Sequence, residues 1–394
     1  MLNSKFSIPL AVLYPSPLTV LLASLAVLLA FGVAERLARD AAWRAVPVRV
    51  HVNGTRGKST VTRLIWSALR EAGIPALAKT TGTAPRVLLP DGRERPLPRR
   101  APASIREQLE LLRLARREGA RALVAECMAV DPALQWVSEH EMIRASVGVI
   151  TNVRTDHTEM MGPNLEDIAN SLANTIPRGG VIVSGESRFA ALLAHRADLA
   201  GARLVAVPAP GVDDVGRWLG DDERLALTVT RQLGIADDVA ARGFARAPRD
   251  PGAARGGTLA AVQGEVRWLD ATAANDPESL AALVAEMTGE GPGDCPNLVV
   301  YNHRADRSPR LSCFADRSAV IGNARPLVLT GARPPWTVWR RLRARRQGAP
   351  PIFVPRRRLA RWLRAHAGPG AALVFCGNTR GLDVAATIDE VGRG

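Results

Sequence analysis

A chain of 394 residues with 47% hydrophobic content is long enough for two or three domains, and its formal charge of +14 resembles a nucleic-acid signature until it is located. Fourteen arginines and no Asp or Glu lie between Arg317 and Leu382, so the remainder is nearly neutral and a chain-wide nucleic-acid-binding character is excluded. Cys127, Cys295, Cys313 and Cys376 are scattered without a CxxC pair or metal spacing, which excludes a disulfide scaffold and points to a reducing compartment. Of 52 basic residues only Lys5, Lys58 and Lys79 are lysines. The arginine excess reads first as composition bias, and two of the three lysines sit in motifs where Arg would not serve equally well.

From Phe6 to Ala34 no residue is charged, and Leu18 to Ala34 is almost wholly apolar. Roughly 20 such residues cross a bilayer, so residues 1–45 read as a membrane anchor with its juxtamembrane segment. A cleaved signal peptide, with small residues near Gly32-Val33-Ala34, is the rival reading. It is set aside because the glycine- and lysine-bearing motif that begins at Gly54, some twenty residues on, suits a cytoplasmic setting. Arg36, Arg39, Arg44 and Arg49 follow the span and Lys5 precedes it, which puts the C-terminal side in the cytoplasm, at the plasma membrane.

Next, Arg49-Val50-His51-Val52-Asn53 alternates as a strand, Gly54 and Gly57 make a turn, and Lys58-Ser59-Thr60 open a helix lasting to about Gly73. Strand, glycine turn and helix N-terminus converge backbone N–H groups on one point, a phosphate cradle. Lys58 would reach the β- and γ-phosphates and the Ser59 hydroxyl would take one position on Mg²⁺. The match is to a short form, Gly-x-x-Gly-Lys-Ser, because Val52 stands where the longer pattern has Gly. An ordinary corner has no use for a lysine at the helix start, where a cation opposes the dipole.

Beyond the cradle strands and helices alternate, the signature of a parallel α/β sheet. Strands are expected at 76–79, 121–126, 146–151 and 181–183, with a capping-box helix from Ser104 to which Glu107 contributes, a helix capped by Asp131, and a closing helix at 222–233. This ATP-binding domain spans 46–235. Residues 236–257 read as a linker or edge, and a second, smaller Rossmann-like α/β domain spans 258–394, with strands near 258–262, 265–269, 297–301, 326–330, 351–354 and 371–375. Three polar clusters fall at strand ends, where doubly wound sheets place ligands: Glu126-Cys127-Met128, Asn152 through Asp156-His157, and Asp270 through Asn275-Asp276-Pro277. Singly each has a bland explanation as a solvated acid, a cap or a helix start.

Their order resembles the Mur ligase superfamily, ATP-dependent amide ligases that include folylpolyglutamate synthetase. Gly54-Thr55-Arg56-Gly57-Lys58-Ser59 matches its loop, Glu126 its metal-binding Glu, Asn152 to His157 its Asn-x-x-x-Asp-His, and Ala273 to Pro277 echoes its Ala-His-Asn-Pro turn. Closer still is the resemblance to the ligase subunits of capsular poly-γ-glutamate synthases (PgsB or CapB type). It rests on His51-Val-Asn-Gly-Thr-Arg-Gly-Lys-Ser59, Lys79-Thr-Thr-Gly-Thr83, Glu126-Cys-Met-Ala129, Gly148-Val-Ile-Thr-Asn-Val-Arg154, Met161-Gly-Pro163, Thr175-Ile-Pro177 and Asn302-His-Arg-Ala-Asp-Arg307.

The resemblance implies Lys58, Glu126, Asp156 and His157 as catalytic residues, with Ser59, Glu126 and His157 on Mg²⁺ or Mn²⁺. Asn53, Gly54, Thr55, Arg56, Gly57, Lys58, Ser59, Thr60, Asp270 and Asn275 would contact ATP. Lys79, Arg86, Arg304, Arg307 and Arg380 are candidates for gripping substrate carboxylates. The implied reaction joins glutamate to a growing poly-γ-glutamate chain through an acyl phosphate, in company with small membrane subunits and, as an open alternative, as a homo-oligomer. Two departures stand out. No lysine follows Lys79, so the carbamylated lysine of the peptidoglycan ligases is absent, and Glu159, Glu166 or Lys79 are alternatives for its role. Asp222-Glu223-Arg224 stands where the family has a His-Asn adenine element. Two other functions remain open on sequence: a membrane-tethered P-loop ATPase or kinase without amide formation, and a polyanion-binding module built on the acid-free 317–382 stretch, a face that would also suit a polyanionic product on its way out.

Overall fold

The computed structural model describes residues 16–81, 85–97, 104–207, 220–248, 250, 254–261, 264–274, 276–288, 298–346, 349–368 and 370–393. Expectations for residues 1–15, Gly82-Thr83 and Asn275 lie outside the described residues. The chain forms two compact units: Met1–Thr80, Arg86–Val153 and Ala169–Ala247 make the first, and Thr81–Pro85, Arg154–Ile168 and Pro248–Gly394 the second.

The first described element is α1 (Pro17–Ala45), long and apolar enough to cross a membrane and exposed over residues 17–34. Its last turns instead pack: Ala42 is buried, and Trp43 Nε1 donates to the Met142 carbonyl at 2.9 Å. There follow β1 (Val48–Asn53), α2 (Lys58–Glu71), β2 (Ala76–Thr80), β3 (Arg86–Leu88), β4 (Glu94–Pro96), α3 (Glu107–Arg117), β5 (Ala122–Glu126), α4 (Pro132–Val137), a π-helical turn (Ser138–Ile143) and β6 (Val147–Ile150). Then come α5 (Thr158–Met161), which belongs to the second unit, α6 (Leu165–Leu172), β7 (Val181–Ser184), α7 (Ala190–Leu199), β8 (Arg203–Ala206), α8 (Asp221–Gln232) and α9 (Asp237–Ala245). The sheet runs β4-β3-β2-β5-β1-β6-β7-β8 and is parallel except for β3 and β4 at one edge. Val50 and Val52 of β1 pack with Val61, Ile65 and Leu69 of α2, while the alternate residues His51 and Asn53 meet Glu139 and Gln135. That alternation is why β1 carries a core and a polar site on one strand.

Two expectations change. Helix α3 starts at Glu107 rather than Ser104: the Ser104 hydroxyl accepts from the Arg106 N–H (3.3 Å), and the Glu107 carboxylate pairs with Lys79, 2.9 Å away. Within 236–257, read as linker, α9 packs on α2: Val239, Ala240 and Phe244 join its core, and Gly243 lies so close that a Cβ there would meet the Ala68 Cα at 2.6 Å. Small residues serve helix contact here, not chain flexibility.

The second unit contains β9 (Arg255–Ala261), β10 (Gly264–Asp270), α10 (Pro277–Thr288), β11 (Leu298–His303), α11 (Ser308–Arg317), α12 (Ala319–Asn323), β12 (Leu327–Gly331), α13 (Trp336–Arg345), β13 (Ile352–Phe353), α14 (Arg356–His366), β14 (Ala372–Gly377) and α15 (Val384–Gly392). Strand order is β13-β12-β11-β14-β10-β9, parallel except for β9. Helices α10 to α13 cover one face through Leu280, Leu311, Phe314 and Leu342; α14 and α15 cover the other through Leu359, Leu363, Val384 and Ile388. Both faces are covered, as a parallel sheet requires.

Candidate active site

The turn between β1 and α2 has the backbone that a phosphate cradle needs. Gly54 (φ 127°) and Gly57 (φ 80°) adopt conformations that other residues rarely hold. A Cβ on Gly54 would meet the Thr151 Oγ1 at 2.0 Å, and one on Gly57 the Asp222 Oδ1 at 2.4 Å. The loop is pinned by β6's continuation. Asn152 Oδ1 accepts from the Thr55 hydroxyl (2.7 Å) and the Arg56 N–H (3.1 Å), and Thr151 Oγ1 donates to the Arg56 carbonyl (2.5 Å). Helix α2 then starts with no side-chain cap and no acid in its first turn, so the N–H groups of Lys58, Ser59 and Thr60 precede the first intrahelical bond, Val61 N–H to Gly57 C=O. Lys58 Nζ donates to the Gly54 carbonyl at 2.6 Å, which holds its charge over the loop.

β5 ends beside this helix start. The Ser59 hydroxyl donates to Glu126 Oε2 at 2.8 Å, so two of the three expected metal ligands share one point. The third, His157, sits with Asp156 in the segment grouped with the second unit. His157 holds φ 42°, a left-handed conformation unusual for a non-glycine residue, with Nδ1 3.3 Å from Glu159 Oε1 and Nε2 3.9 Å from Asp156 Oδ1.

Several other expected site residues have structural jobs. Asn53, 2% exposed, donates to Gln135 Oε1 (3.0 Å) and Thr175 Oγ1 (3.2 Å), so its side chain ties β1 to α4 and is not presented to a nucleotide. Lys79 is fully buried, its ammonium against Glu107 and 3.4 Å from the Met128 sulfur, so it is not open to grip a substrate. Arg86 lies 3.6 Å from Glu94, which Arg63 already holds with two bonds (2.9 and 2.7 Å). That fork keeps the Glu94 carboxyl below the usual range. Asp270 turns inward on Thr272, accepting from its N–H (3.0 Å) and hydroxyl (2.6 Å).

Behind the cradle a polar pair went unnoticed in the sequence. His51 of β1 and Glu139 of the π-helical turn are buried 2.8 Å apart. Glu139 Oε1 also accepts from the Ala145 N–H (2.8 Å). Burial alone would lower the His51 pKa, but Cys127 and Glu139 alongside outweigh it and raise it to about 10. The structure likewise adds Asp222, against Gly57, to the loop's surroundings.

The second unit has its own constellation. Helix α11 after β11 goes to one face and α15 after β14 to the other, so the chain diverges at the carboxyl ends of these adjacent strands, the place where doubly wound sheets put ligands. Asn302 donates to the Asn378 and Arg380 carbonyls, Asn378 returns a bond to the Asn302 carbonyl (2.9 Å), Arg356 donates to Asn302 Oδ1 (2.9 Å), and Arg310 to Asn378 Oδ1 (3.2 Å). His303 is 1% exposed with neither ring nitrogen hydrogen-bonded among the described residues, and burial pushes its pKa down. Of the expected arginines, Arg380 and Arg307 are exposed at this edge, while Arg304 is forked onto Asp306 (3.0 Å at Nε). Arg310, Arg356 and Asn378 were not singled out in the sequence, because each comes from a different segment.

This fold with this loop defines a Mur-ligase-type protein: residues 52–184 match the Mur ligase middle domain. The same architecture occurs in E. coli FolC in complex with ADP (TM-score 0.60, 17% identity, 90% of each chain). It also occurs in a bifunctional folylpolyglutamate synthase/dihydrofolate synthase with Mn, AMPPNP and L-glutamate bound (TM-score 0.58, 17% identity, 91% of each chain). Residues 258–390 match the poly-gamma-glutamate synthase CapB C-terminal domain. The PGA synthase CapB of Bacillus subtilis is 36% identical over 79% of this chain and 81% of its own length; the capsule biosynthesis protein CapB of Bacillus anthracis is 34% identical over 73% of this chain and 64% of its own. The chain belongs to the CapB family of the Mur ligase superfamily.

Proposed function

We propose that this chain is the ATP-dependent amide ligase of poly-γ-glutamate synthesis, a poly-γ-glutamate synthase. The observation that carries the reading within the site is the Ser59–Glu126 bond beside an uncapped glycine loop. That pair fits Mg²⁺, an ion that keeps several waters and takes one or two protein oxygens plus substrate phosphates, and among the described residues no group of three or more His, Cys, Asp and Glu forms a closed cage. Mn²⁺ suits the same oxygens. Bound there, the ion would neutralise charge on the transferring phosphoryl group.

The remaining work falls to the chain. The loop N–H groups and Lys58 receive the phosphates of ATP, so positioning and electrostatics carry the first step. A glutamate γ-carboxylate attacks the γ-phosphorus; a C–O–P bond forms and ADP leaves. The deprotonated amine of a second glutamate then attacks the acyl carbon, the C–N bond forms and inorganic phosphate departs. Asp156 and His157 are the proposed partners of this chemistry in the segment that follows β6. Arg310, Arg356 and Arg380, with Asn302 and Asn378, are the proposed grip on substrate carboxylates, in the bidentate manner guanidinium permits. Helix α1 is the proposed single-pass anchor in the plasma membrane, holding the catalytic units in the cytoplasm beside small membrane subunits.

ADP release by the detergent-solubilised protein with MgATP, scanned over amino acids and γ-glutamyl peptides, tests this. Glutamate-dependent release with an amide product is expected; release indifferent to every amine would favour a bare ATPase.

A further inference from the structure

A γ-linked glutamate polymer carries one pendant α-carboxylate per residue, and the second unit has an unusual number of cations without acids. At the chain's average frequency, 38 acids in 394 residues, about six would fall in the 66 residues from Arg317 to Leu382, and none does. Composition bias enriches arginine but does not remove acids. Several exposed arginines of the first unit are answered: Arg231 pairs with Asp237, Arg242 with Asp238 and Glu71, and Arg246 with Glu71. On α14, Arg357, Arg358 and Arg361 are exposed and form no ion pair among the described residues.

Their placement is costly to the helix itself. Three arginines open α14 at the positive end of its dipole, with Pro355 as an N-cap that offers no side-chain bond and no acid in the first turn. Arg357 and Arg361, four apart, repel across one turn. An anionic ligand relieves both. Arg356, the first residue of this helix, bonds Asn302 of the Asn302–Asn378 pair, so the exposed charges begin where the proposed substrate grip ends.

We propose that the exposed arginine row of α14, Arg357, Arg358 and Arg361, is a track that holds the growing γ-linked polyanion by its α-carboxylates between additions. The repeat fits. One γ-glutamyl unit has five main-chain bonds and extends on the order of 6 Å, close to the roughly 5–6 Å that separates side chains three or four apart on a helix surface. This rests on the ligase reading for the identity of the polymer. Its consequence is retention: a chain held on the track stays near the site and is extended again.

The test uses the full-length protein in detergent and fluorescently labelled γ-linked oligoglutamates from two to about sixteen residues, read by anisotropy at low and moderate salt. Affinity is expected to rise with length and then level off, and to fall with salt. The triple variant Arg357→Gln/Arg358→Gln/Arg361→Gln is expected to lose about tenfold affinity for long oligomers, the summed effect of three exposed ion pairs. Its ADP release with glutamate and a short acceptor should stay within about twofold, and its polymer should be shorter. Length-independent binding, or a variant that binds and polymerises like the parent, would overturn the track. Equal binding of duplex DNA matched for charge would overturn its assignment to the γ-linked polymer. Absence of glutamate-dependent ADP release in the parent protein would count against the ligase reading alone, since the binding measurements stand without it.

Discussion

The carboxyl edges of the two sheets solve related problems with different materials. In the first unit β1, β5 and β6 end in a glycine loop, one carboxylate and one asparagine; the anion-binding groups are backbone N–H donors with a single lysine, Lys58, laid over them. In the second unit β11, β12, β13 and β14 end among guanidinium groups and amide side chains. A phosphate chain asks for many converging donors at close range, which only side-chain-free backbone allows. A carboxylate asks for a planar fork, which arginine supplies. The anion-binding donors of the first edge therefore come from a contiguous stretch of chain, and those proposed at the second from scattered strand ends.

The contrast breaks first at Lys58. Lys58→Ala is expected to lower glutamate-dependent ADP release by about 10³-fold, the scale of removing a preorganised charge from a phosphoryl-transfer site. Far-UV circular dichroism should not change, since the described bonds of this ammonium are to loop carbonyls. An active Lys58→Ala protein would show that the loop is not the phosphate site. The other described lysine, Lys79, should behave in the opposite way. Removing one partner of a buried pair costs about 3 kcal/mol, so Lys79→Met should lower the melting temperature while leaving nucleotide affinity in the surviving folded fraction intact. Lys79→Met/Glu107→Leu should recover much of that loss, because a buried ion pair exchanged for apolar volume is near neutral.

The same contrast explains what was legible in the sequence. Gly54, Gly57, Lys58 and Ser59 are read directly because the cradle is local: six consecutive residues carry both the backbone freedom and the charge. Glu126 is read because it ends an apolar run, and the structure joins it to Ser59. Most strands of both sheets follow from their apolar runs, whereas β3, β4 and β8, short strands at or next to the edges of the first sheet, are not read from sequence. Burial cannot be seen in a motif: nothing in Lys79-Thr-Thr says that Glu107 lies 2.9 Å away. The Arg356–Asn302–Asn378–Arg310 constellation was missed for a topological reason. It draws on four segments that become neighbours only when β14 inserts between β10 and β11.

A substitution at the second edge sharpens the comparison. Arg356→Gln removes the fork but keeps an amide able to bond Asn302, so the local fold should hold. The KM for glutamate is expected to rise about tenfold, the scale of one charge-assisted hydrogen bond. Nucleotide affinity, measured separately, should not move. A matching loss of nucleotide affinity would mean that the two edges do not divide the substrates as proposed.

The smallest effect is one of pH and belongs to the strand behind the cradle. His51 is buried against Glu139 at 2.8 Å with Cys127 nearby. Burial alone would lower its pKa; these neighbours outweigh that and raise it to about 10, against about 6.5 in the unfolded chain. The folded protein therefore binds this proton more tightly than the unfolded one. The stabilisation is complete below about pH 6.5 and is lost as pH rises through about 10. Melting temperature should accordingly decline between neutral and alkaline pH, and His51→Gln, less stable at neutral pH, should show a flatter profile over that window. Parallel profiles for the two proteins would show that His51 is not the group responsible. Because β1 leads directly into the glycine loop, alkaline loss of this pair should also loosen the first edge while leaving the arginine edge of the second sheet unaffected, so nucleotide affinity should fall at alkaline pH before oligoglutamate affinity does.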